Sequence, residues 1–439
     1  MRFPRLLPSV LIVLVLLASA PARAESPYNI AWVRQFGTSS AEYSTAVSGD
    51  GLGHVYVTGY SNGPLGGPNA GDENIFLSKF DTAGNLLWHR QLSSDSEEAA
   101  YAVAADTLGN VFISGYTFGL LNGPEAGAGG DFIAKYDAAG NLQWVRQFGD
   151  RSDECYALSP DGLGNVYVSG RTFADLGTTN AGEFDAFVCK YDSAGSQLWA
   201  RQLGTAAKER AYGVSADRLG NVFISGYTMG TLDGPPGVPP DAFVSKYDPA
   251  GNLQWVRQLA PTTGEMGRAV SADGMGNVYF GGETFGSLDG PNAGGNDAFV
   301  GKYDAVGNLL WIRQLGSSAE DIGRSVAADA AGNVFISGYT AGSLSEPNAG
   351  GRDFFVSKYD AAGNLLWTRQ FGTAADDDCF GLFADGLGDV YLTGHTRGSL
   401  GGPNAGNYDA FLIKLSVPEP GSLAILTLCV VCLLRRRGA

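Results

Sequence analysis

The sequence contains little histidine, little cysteine and little positive charge. Of its 439 residues, 3 are His, 5 are Cys and 29 are Lys or Arg, against 45 Asp or Glu. The formal net charge of −16 argues against nucleic acid as a partner, because its phosphates attract Lys and Arg. The sequence contains no Gly-x-Ser-x-Gly, His-Glu-x-x-His or phosphate-binding loop motif, so these catalytic and nucleotide-binding sites are not predicted.

Charged residues are also scarce, at 17% against about 25% in an ordinary globular chain. Glycine, at 64 residues, is about twice as frequent as usual, but 44% of the chain is hydrophobic and 11% is aromatic. Sustained helical periodicity is missing throughout. The composition excludes a collagen, a coiled coil and a disordered chain, and it predicts a folded protein with a sizeable core.

Between the two ends, one unit of about 56 residues repeats seven times. Each unit carries a Trp-x-Arg-Gln motif and, at constant spacing, segments of the Gly-Asn-Val-Tyr and Asp-Ala-Phe types. The seven tryptophans mark the period: Trp32, Trp88, Trp144, Trp199, Trp255, Trp311 and Trp367. Such self-similarity indicates a repeat architecture.

One unit contains four short β-rich runs. In the second unit the predicted strands cover residues 101–105, 110–116, 132–136 and 142–148. Asp-x-x-Gly-Asn turns join the first strand to the second and the third to the fourth, and the other two connections are longer loops. Four strands in each of seven units predict an all-β fold, a seven-bladed β-propeller with four antiparallel strands per blade.

The unit resembles the SBBP repeat of bacterial β-propellers and, more distantly, the NHL repeat, through its Asp-x-x-Gly-Asn-Val-Tyr-Val core. The resemblance covers residues 29–415. An NHL-type order implies that the run at 101–105 is innermost and the Trp strand outermost. The chain starts with a Trp strand and ends after a third strand, so we expect the N-terminal strand to complete the last blade and close the ring. Residues 25–416 would then form one propeller domain.

Two cysteines of the propeller fall within one blade. Cys155 and Cys189 are predicted on nonadjacent strands about 9.6 Å apart, which is too far for a disulfide. We therefore expect buried free thiols. Cys429 and Cys432 form a Cys-x-x-Cys pair inside an apolar tail, where a zinc site is not expected.

Residues 1–24 have the pattern of a secretory signal peptide. A basic start is followed by a short apolar run and by the small-residue pattern that ends in Ala22 and Ala24. We expect cleavage after Ala24. A retained N-terminal anchor is the alternative, but the apolar run is short for one.

Residues 417–439 combine three signals in a fixed order. Pro418, Glu419 and Pro420 precede an apolar run at 422–434, and Arg435, Arg436 and Arg437 follow it. As a helix the run spans about 20 Å of a ~30 Å bilayer core, and the arginines mark its cytoplasmic side. The order resembles the PEP-CTERM sorting signal, which implies cleavage near the Pro-Glu-Pro motif by an exosortase, a membrane-embedded protease.

The resemblance further implies a bacterium that makes exopolysaccharide. We expect transient contact with the inner membrane through the C-terminal segment, followed by delivery to the cell envelope, the cell surface or the extracellular matrix. A plain tail anchor is the alternative.

Two sets of acids repeat at the long loops. The first set precedes the innermost strand: Glu42, Glu98, Asp153, Glu209, Glu265, Asp321 and Asp377. The second set precedes the third strand: Asp131, Asp185, Asp241, Asp297, Asp353 and Asp409, with Asn74 in the first unit. We expect the first set to form a ring near the channel mouth, as a Ca²⁺ site or a negative face, or as structural acceptors for loop N–H groups. The structural role is favoured because it repeats in every unit.

Basic residues repeat as strictly as the acids. Each unit carries the Arg of Trp-x-Arg-Gln and a Lys near the end of the third strand. We expect these residues to pair with acids of the same repeat, which disfavours a basic binding patch.

Departures from the repeat mark a candidate unique site. Tyr predominates on the innermost strand and at the top of the second strand, but Arg268, Glu283, Arg324 and His395 occupy these positions in units five to seven. Charged groups in place of aromatic ones on the channel wall predict a site for a polar ligand such as a saccharide. Drift between duplicated repeats is the alternative explanation.

The sequence therefore predicts an exported, noncatalytic scaffold or binding protein that presents its loops to a glycan, a matrix component or another protein. The competing prediction is an enzyme. The segment 360–367 resembles the tryptophan-docking repeat of quinoprotein dehydrogenases, which implies pyrroloquinoline quinone, although those propellers typically have eight blades. A polysaccharide lyase or hydrolase is the other enzyme class. Apart from the possible Ca²⁺, no cofactor is expected.

Overall fold

The computed structural model describes residues 28–416 apart from 68–70, 122–129, 150–151, 236 and 260–263. The predicted signal peptide and sorting signal, with Cys429 and Cys432, lie outside the described residues. Within the described ranges, the strands form seven four-stranded antiparallel sheets, and no helix is long and apolar enough to cross a membrane. The predicted seven-bladed β-propeller is confirmed.

Each blade uses its strands in order from the channel to the rim. The innermost strands are β2 (Glu42–Gly49), β6 (Glu98–Ala105), β10 (Glu154–Pro160), β14 (Glu209–Ala216), β18 (Glu265–Ala272), β22 (Asp321–Ala328) and β26 (Asp377–Ala384). The second strands are β3 (His54–Ser61), β7 (Val111–Thr117), β11 (Val166–Thr172), β15 (Val222–Thr228), β19 (Val278–Thr284), β23 (Val334–Thr340) and β27 (Val390–Thr396).

The other two strands of each blade lead outward. The third strands are β4 (Asn74–Asp81), β8 (Gly130–Tyr136), β12 (Asp185–Tyr191), β16 (Asp241–Tyr247), β20 (Asp297–Tyr303), β24 (Asp353–Tyr359) and β28 (Asp409–Ser416). The outermost strands are β1 (Asn29–Phe36), β5 (Leu86–Leu92), β9 (Leu142–Phe148), β13 (Gln197–Leu203), β17 (Leu253–Leu259), β21 (Leu309–Leu315) and β25 (Leu365–Phe371).

The ring closes through the N-terminal strand. One sheet has the order β1-β28-β27-β26, and β1 runs antiparallel to β28 with Val33 opposite Ile413. The tight turns, which join the first strand to the second and the third to the fourth, lie at one face of the disc, which we call the turn face. The longer connections lie at the opposite face, which we call the loop face.

The hydrophobic core lies between neighbouring blades. Phe112 on β7, for example, belongs to one buried cluster with Val168 and Phe187 of the next blade. Burying a large apolar side chain stabilises the fold by about 1.5–3 kcal/mol. Because one such cluster forms at each junction, the blades stabilise one another and the ring positions its central channel rigidly.

Glycine is required where each second strand passes a bulge in the innermost strand. The register between β6 and β7 shifts between Ala100 and Ala102. A Cβ atom on Gly115 would lie 1.9 Å from the carbonyl oxygen of Ala99. The close backbone approach, and not an unusual φ, therefore excludes any side chain at this position.

The repeated Arg, Trp and Lys bind carbonyl groups of the next blade. Arg90 Nε donates to the carbonyl oxygen of Gly140 at 2.8 Å, and the Arg90 guanidinium lies 5.0 Å from the ring centroid of Trp88. Lys79 Nζ donates to the carbonyl oxygen of Ala138 at 3.0 Å. The expected pairing with acids of the same repeat is confirmed for part of the set: Lys190, Arg257, Arg313, Arg369 and Lys414. Turn carbonyl groups of the neighbouring blade are the more general partners of these cations.

The cysteine prediction is confirmed for the propeller. Cys155 and Cys189 lie on β10 and β12 with β11 between them, and both are buried free thiols, as is Cys379. Burial raises the pKa of the Cys379 thiol to about 12, so it stays protonated and unreactive at neutral pH.

Candidate functional site: an aromatic cup at the loop face

The central channel opens at the loop face into a cavity of about 330 Å³, which we call the cup. Its lining includes Tyr43, Tyr60, Tyr101, Tyr156, Tyr212, Arg268, Arg324, Phe380 and His395. All seven blades supply the lining because these side chains stand at corresponding positions of the inner and second strands. The volume falls within the ~300–1,000 Å³ of typical ligand pockets.

Aromatic rings form most of the cup wall. Tyr43 stacks on Tyr60 with 4.9 Å between centroids, and Tyr156 lies 4.7 Å from Tyr212. Burial raises the pKa of Tyr101 and of Tyr156 well above the ordinary value. These phenols therefore stay protonated at neutral pH, so they offer ring faces and hydroxyl groups to a ligand and do not act as bases.

Arg268 and Glu283 neutralise one another at the edge of the cup. Nη2 of Arg268 lies 2.6 Å from Oε1 of Glu283, and Nε donates to Oε2 of Glu283 at 3.0 Å. Burial alone would lower the pKa of Arg268, but hydrogen bonding to Glu283 outweighs it and raises this pKa. The guanidinium also lies 4.8 Å from the ring centroid of Tyr212. This pair is a fixed part of the wall and leaves no net charge for a ligand.

Arg324 presents an unneutralised positive charge to the cup. Within the described ranges no carboxylate oxygen lies within 4.0 Å of its guanidinium, and its Nε has no hydrogen-bond partner. The guanidinium lies 5.5 Å from the ring centroid of Phe380 and 5.4 Å from that of Tyr339. Aromatic faces therefore hold the cation in place, and Nη2 donates one long hydrogen bond to the Tyr339 hydroxyl at 3.5 Å. This arrangement can bind an anionic group.

His395 lies between aromatic rings and an acid. It stacks on Phe380 with 5.2 Å between centroids, and its Nε2 lies 3.5 Å from Oδ2 of Asp378. Arg352 binds the same carboxylate at 3.0 Å. Among the described residues, Nδ1 of His395 has no hydrogen-bond partner. The ring is therefore held in position at the cup wall, with Nδ1 buried and unpartnered.

The structure brings the four predicted site residues together. Arg268, Arg324 and His395 line the cup, and Glu283 lies behind it on Arg268. The sequence did not reveal that aromatic rings form most of the wall or that Asp378 contacts His395. A signal was present, because the inner-strand residue that lines the cup always comes three positions after the first repeated acid, as Tyr101 follows Glu98.

The first set of repeated acids is buried beneath the loops and does not line the cup. Glu42 accepts hydrogen bonds from the Thr38 backbone N–H at 2.7 Å, from the Thr38 hydroxyl at 2.6 Å and from the Ser61 hydroxyl at 2.9 Å. These contacts brace the loop that enters β2. These side chains therefore do not form the ring at the channel mouth that the sequence predicted.

The two acid sets meet at the blade junctions. Glu42 and Asp409 both lie against Gly37. A Cβ atom built on Gly37 would lie 2.4 Å from Oδ1 of Asp409 and 2.7 Å from Oε2 of Glu42, so the two carboxylate oxygens border the same small space. Among the residues that the structure describes, Oδ1 has no hydrogen-bond partner in any of the six second-set aspartates: Asp131, Asp185, Asp241, Asp297, Asp353 and Asp409. In the pair of Glu265 and Asp241, burial raises the pKa of both carboxyl groups, which favours a proton held at that pair.

The pKa shifts agree with this interpretation. Burial, with a contribution from Asp241, raises the pKa of Glu265 to about 8. In the first unit the second acid is replaced by Asn74, whose amide donates to the carbonyl oxygen of Gly71 at 3.3 Å. Among the described residues no group of three or more His, Cys, Asp or Glu is suited to a metal ion. The Ca²⁺ site remains a prediction.

Two family descriptions match parts of the chain. Five segments match the SBBP β-propeller repeat, at residues 31–66, 143–184, 198–232, 310–344 and 366–401. Residues 416–437 match the PEP-CTERM protein-sorting motif. Both resemblances are therefore confirmed. The sorting motif implies processing by an exosortase and export to the cell envelope or surface.

Two curated proteins are similar to parts of the chain. The uncharacterized WD repeat-containing protein L264 of Acanthamoeba polyphaga mimivirus is 22% identical over 68% of this chain and 29% of that protein. The regulatory protein FlaEY of Caulobacter vibrioides is 30% identical over 33% of this chain and 17% of that protein. The chain thus spans less than a third of the length of these relatives.

Solved structures share the fold. A protein of unknown function from Dyadobacter fermentans is 11% identical with a TM-score of 0.50, over 89% of this chain and 99% of that one. A PL25 ulvan lyase is 10% identical with a TM-score of 0.49, over 86% and 95%. YCF48 bound to D1 peptide is 12% identical with a TM-score of 0.48, over 91% and 99%. At these identities the likeness concerns the fold alone.

Proposed function

We propose that this chain, a seven-bladed propeller of SBBP repeats with a C-terminal PEP-CTERM motif, is an exported binding protein whose cup holds an acidic saccharide of the cell surface or the exopolysaccharide matrix. The observation that carries this proposal is Arg324. Its guanidinium has no carboxylate partner within the described ranges and stands in a wall of aromatic rings.

The chemistry of the wall matches a uronic acid. Aromatic faces complement the apolar face of a pyranose ring, and the phenol hydroxyls can bond to sugar hydroxyls. The carboxylate of the sugar would receive the donors of Arg324, a charge-assisted hydrogen bond worth about 1.5–3 kcal/mol. A neutral sugar would leave the cation of Arg324 unpaired.

The charge of the rest of the loop face limits the ligand. Both acid sets lie at this face, and further acids such as Glu73, Glu97 and Glu320 lie beside them. A long, densely charged polyanion would be repelled outside the cup. The site therefore suits a terminal acidic sugar, or one set among neutral sugars.

Calorimetric titration of the protein tests this proposal. The probes are a neutral oligosaccharide and the same oligosaccharide ending in glucuronic acid. We expect the acidic probe to bind, and Arg324→Gln to weaken its binding at least about tenfold because the charge-assisted bond is lost. Lys208→Gln is the control, since Lys208 pairs with Glu183 at 3.2 Å and does not line the cup. Equal binding of both probes, or unchanged binding by Arg324→Gln, would contradict the proposal.

His395 favours a second candidate function, a polysaccharide-cleaving enzyme, because its imidazole lines the cup and Asp378 orients the ring. Formation of new chain ends from the acidic probe, abolished by His395→Asn with the fold intact, would support this candidate. Binding without turnover would support the noncatalytic one. The quinoprotein alternative remains a prediction from the sequence.

A further inference from the structure

The turn face carries a ring of strongly exposed apolar side chains. In six blades the third residue of the turn between the first and second strands is Leu or Met. These residues, which we call the apolar ring, are Leu52, Leu108, Leu163, Leu219, Met275 and Leu387. Their exposed fractions run from 61% for Leu52 to 91% for Leu387. Residues from all seven of these turns line the channel mouth at this face, so the apolar ring encircles one opening.

The outer part of the same face is also apolar. Leucines at the starts of the outermost strands, such as Leu86, Leu253 and Leu366, are 39–48% exposed. On the loop face, exposed large apolar side chains among the described residues are five, all 40–55% exposed: Leu120, Phe173, Met229, Val238 and Phe285. The turn face therefore concentrates the exposed apolar surface, and such concentrations mark interaction sites.

The excess negative charge lies at the loop face and not at the apolar turn face. The repeated Arg and Lys lie beside the tight turns, as the bonds of Arg90 and Lys79 to turn carbonyls show. They balance the aspartates of those turns, and the first-turn aspartates such as Asp50 and Asp273 are buried under the apolar ring. The acids outside the tight turns lie in or next to the long loops. The negative excess therefore belongs to the loop face, and the turn face is near neutral.

The chain leaves the propeller at the turn face. Ser416 ends β28 and pairs with Asn29, at the position where other blades make their outer tight turn. Only residues 417–421 separate Ser416 from the apolar run at 422–434. Five residues reach at most about 18 Å, even fully extended. Whenever that run is in a bilayer, the turn face must therefore lie within this distance of the lipid.

We propose that the turn face rests on the bilayer while the C-terminal segment is attached, with the apolar ring inserted among the lipid headgroups. The C-terminal segment acts as a tether that raises the effective concentration of the lipid at the turn face. Six apolar side chains therefore suffice for a membrane contact that would be weak if the propeller were not attached. The cup then points away from the membrane. This inference rests on the exported, tail-bearing form of the proposed function, and not on the ligand of the cup.

Fluorescent labelling of single cysteines tests this orientation. The full chain, with Cys429→Ser and Cys432→Ser, is placed in vesicles of phosphatidylethanolamine and phosphatidylglycerol. One variant carries the dye at Leu163→Cys on the turn face, and its matched control carries the dye at Val238→Cys on the loop face, both exposed apolar positions. The three cysteines of the propeller are buried and do not compete for the label.

We expect the emission of the Leu163→Cys dye to shift to shorter wavelength in vesicles and to be quenched by a lipid-borne quencher, and the Val238→Cys dye to change in neither respect. Replacing the other five members of the apolar ring by Ser should abolish the shift at position 163. The proposal would be overturned by equal responses at both positions or by no shift at position 163. A shift at position 163 without vesicles would also overturn it, because it would indicate a second copy of the chain as the partner. Titration with the acidic oligosaccharide is independent of these outcomes, so failure of this inference and failure of the cup proposal are separable.

Discussion

Tyr28 lies against the indole of Trp367, with 5.1 Å between ring centroids, at the junction between the sixth blade and the blade that β1 completes, which we call the closing junction. At the other junctions the indole N–H donates to a turn carbonyl of the next blade, as for Trp32, Trp88, Trp144, Trp199, Trp255 and Trp311. The last blade has no such turn, and Nε1 of Trp367 has no partner among the described residues. Tyr28 thus packs against the indole that a turn covers elsewhere.

Tyr28→Ala should open the closing junction. Tyr28 is 2% exposed and also contacts Phe335, so its removal should lower the free energy of unfolding by about 3 kcal/mol. Urea unfolding measures this effect. Asn29→Ala, at the exposed neighbour that begins β1, is the control and should change little. Equal effects of both substitutions would show that the packing of Tyr28 does not secure the closure.

Arg268→Met should destabilise the fold by about 3 kcal/mol, because it leaves the carboxylate of Glu283 buried without its partner. In the fourth blade, the positions of Arg268 and Glu283 are occupied by Tyr212 and Tyr227. The double substitution Arg268→Tyr with Glu283→Tyr therefore introduces the residues of the fourth blade. It should recover more than half of the loss. A double variant as unstable as Arg268→Met would show that the buried charge is not the cause.

Stability should fall as pH rises from about 5 to about 9. The pKa of Glu265 is about 8 in the fold against an ordinary 4.5, so between these values the folded chain holds a proton that the unfolded chain has lost. Its stabilising contribution is complete below the lower value and disappears as pH rises through the upper one. Glu265→Gln should therefore flatten the pH dependence of urea unfolding. The exposed Glu320→Gln should not, and an identical slope in both variants would refute the protonated pair.

Gly115→Ala should prevent normal folding of the second blade, with a loss of about 3 kcal/mol or more, because its Cβ meets a backbone carbonyl that cannot move aside. Gly290→Ala is the matched control, since a Cβ there meets nothing within 4 Å. Thermal unfolding of the two variants separates the cases. A tolerated Gly115→Ala would show that the bulge of β6 can relax.

The fold could be predicted from the sequence because its signals are local and repeated. The spacing of the tryptophans predicted the number of blades. The closure of the ring could be predicted because the chain starts with a Trp strand and ends after a third strand. The carbonyl partners of the basic residues could not be predicted. Arg90 and Lys79 bind carbonyl oxygens of the next blade, and a backbone carbonyl group has no sequence signature.

The candidate site was predictable only in part. Arg268, Glu283, Arg324 and His395 stand out because they interrupt an aromatic column. The sequence does not tell which of these charges is neutralised, since this depends on side chains that cross between strands. Arg268 meets Glu283 on the neighbouring strand, whereas Arg324, within the described part of the chain, contacts aromatic faces and the Tyr339 hydroxyl and no carboxylate.

Binding of an acidic saccharide in the cup is tested most directly by an NMR titration of isotope-labelled tyrosine rings with the oligosaccharide that ends in glucuronic acid. We expect the signals of the cup rings to shift on binding: Tyr43, Tyr60, Tyr101, Tyr156 and Tyr212. The fully buried rings of Tyr167 and Tyr279 between the blades should not shift. In Arg324→Gln the shifts of the cup should require a much higher concentration of the probe. Two results would contradict binding in the cup: signal shifts spread over the whole molecule, or no shift of the cup rings although the probe binds.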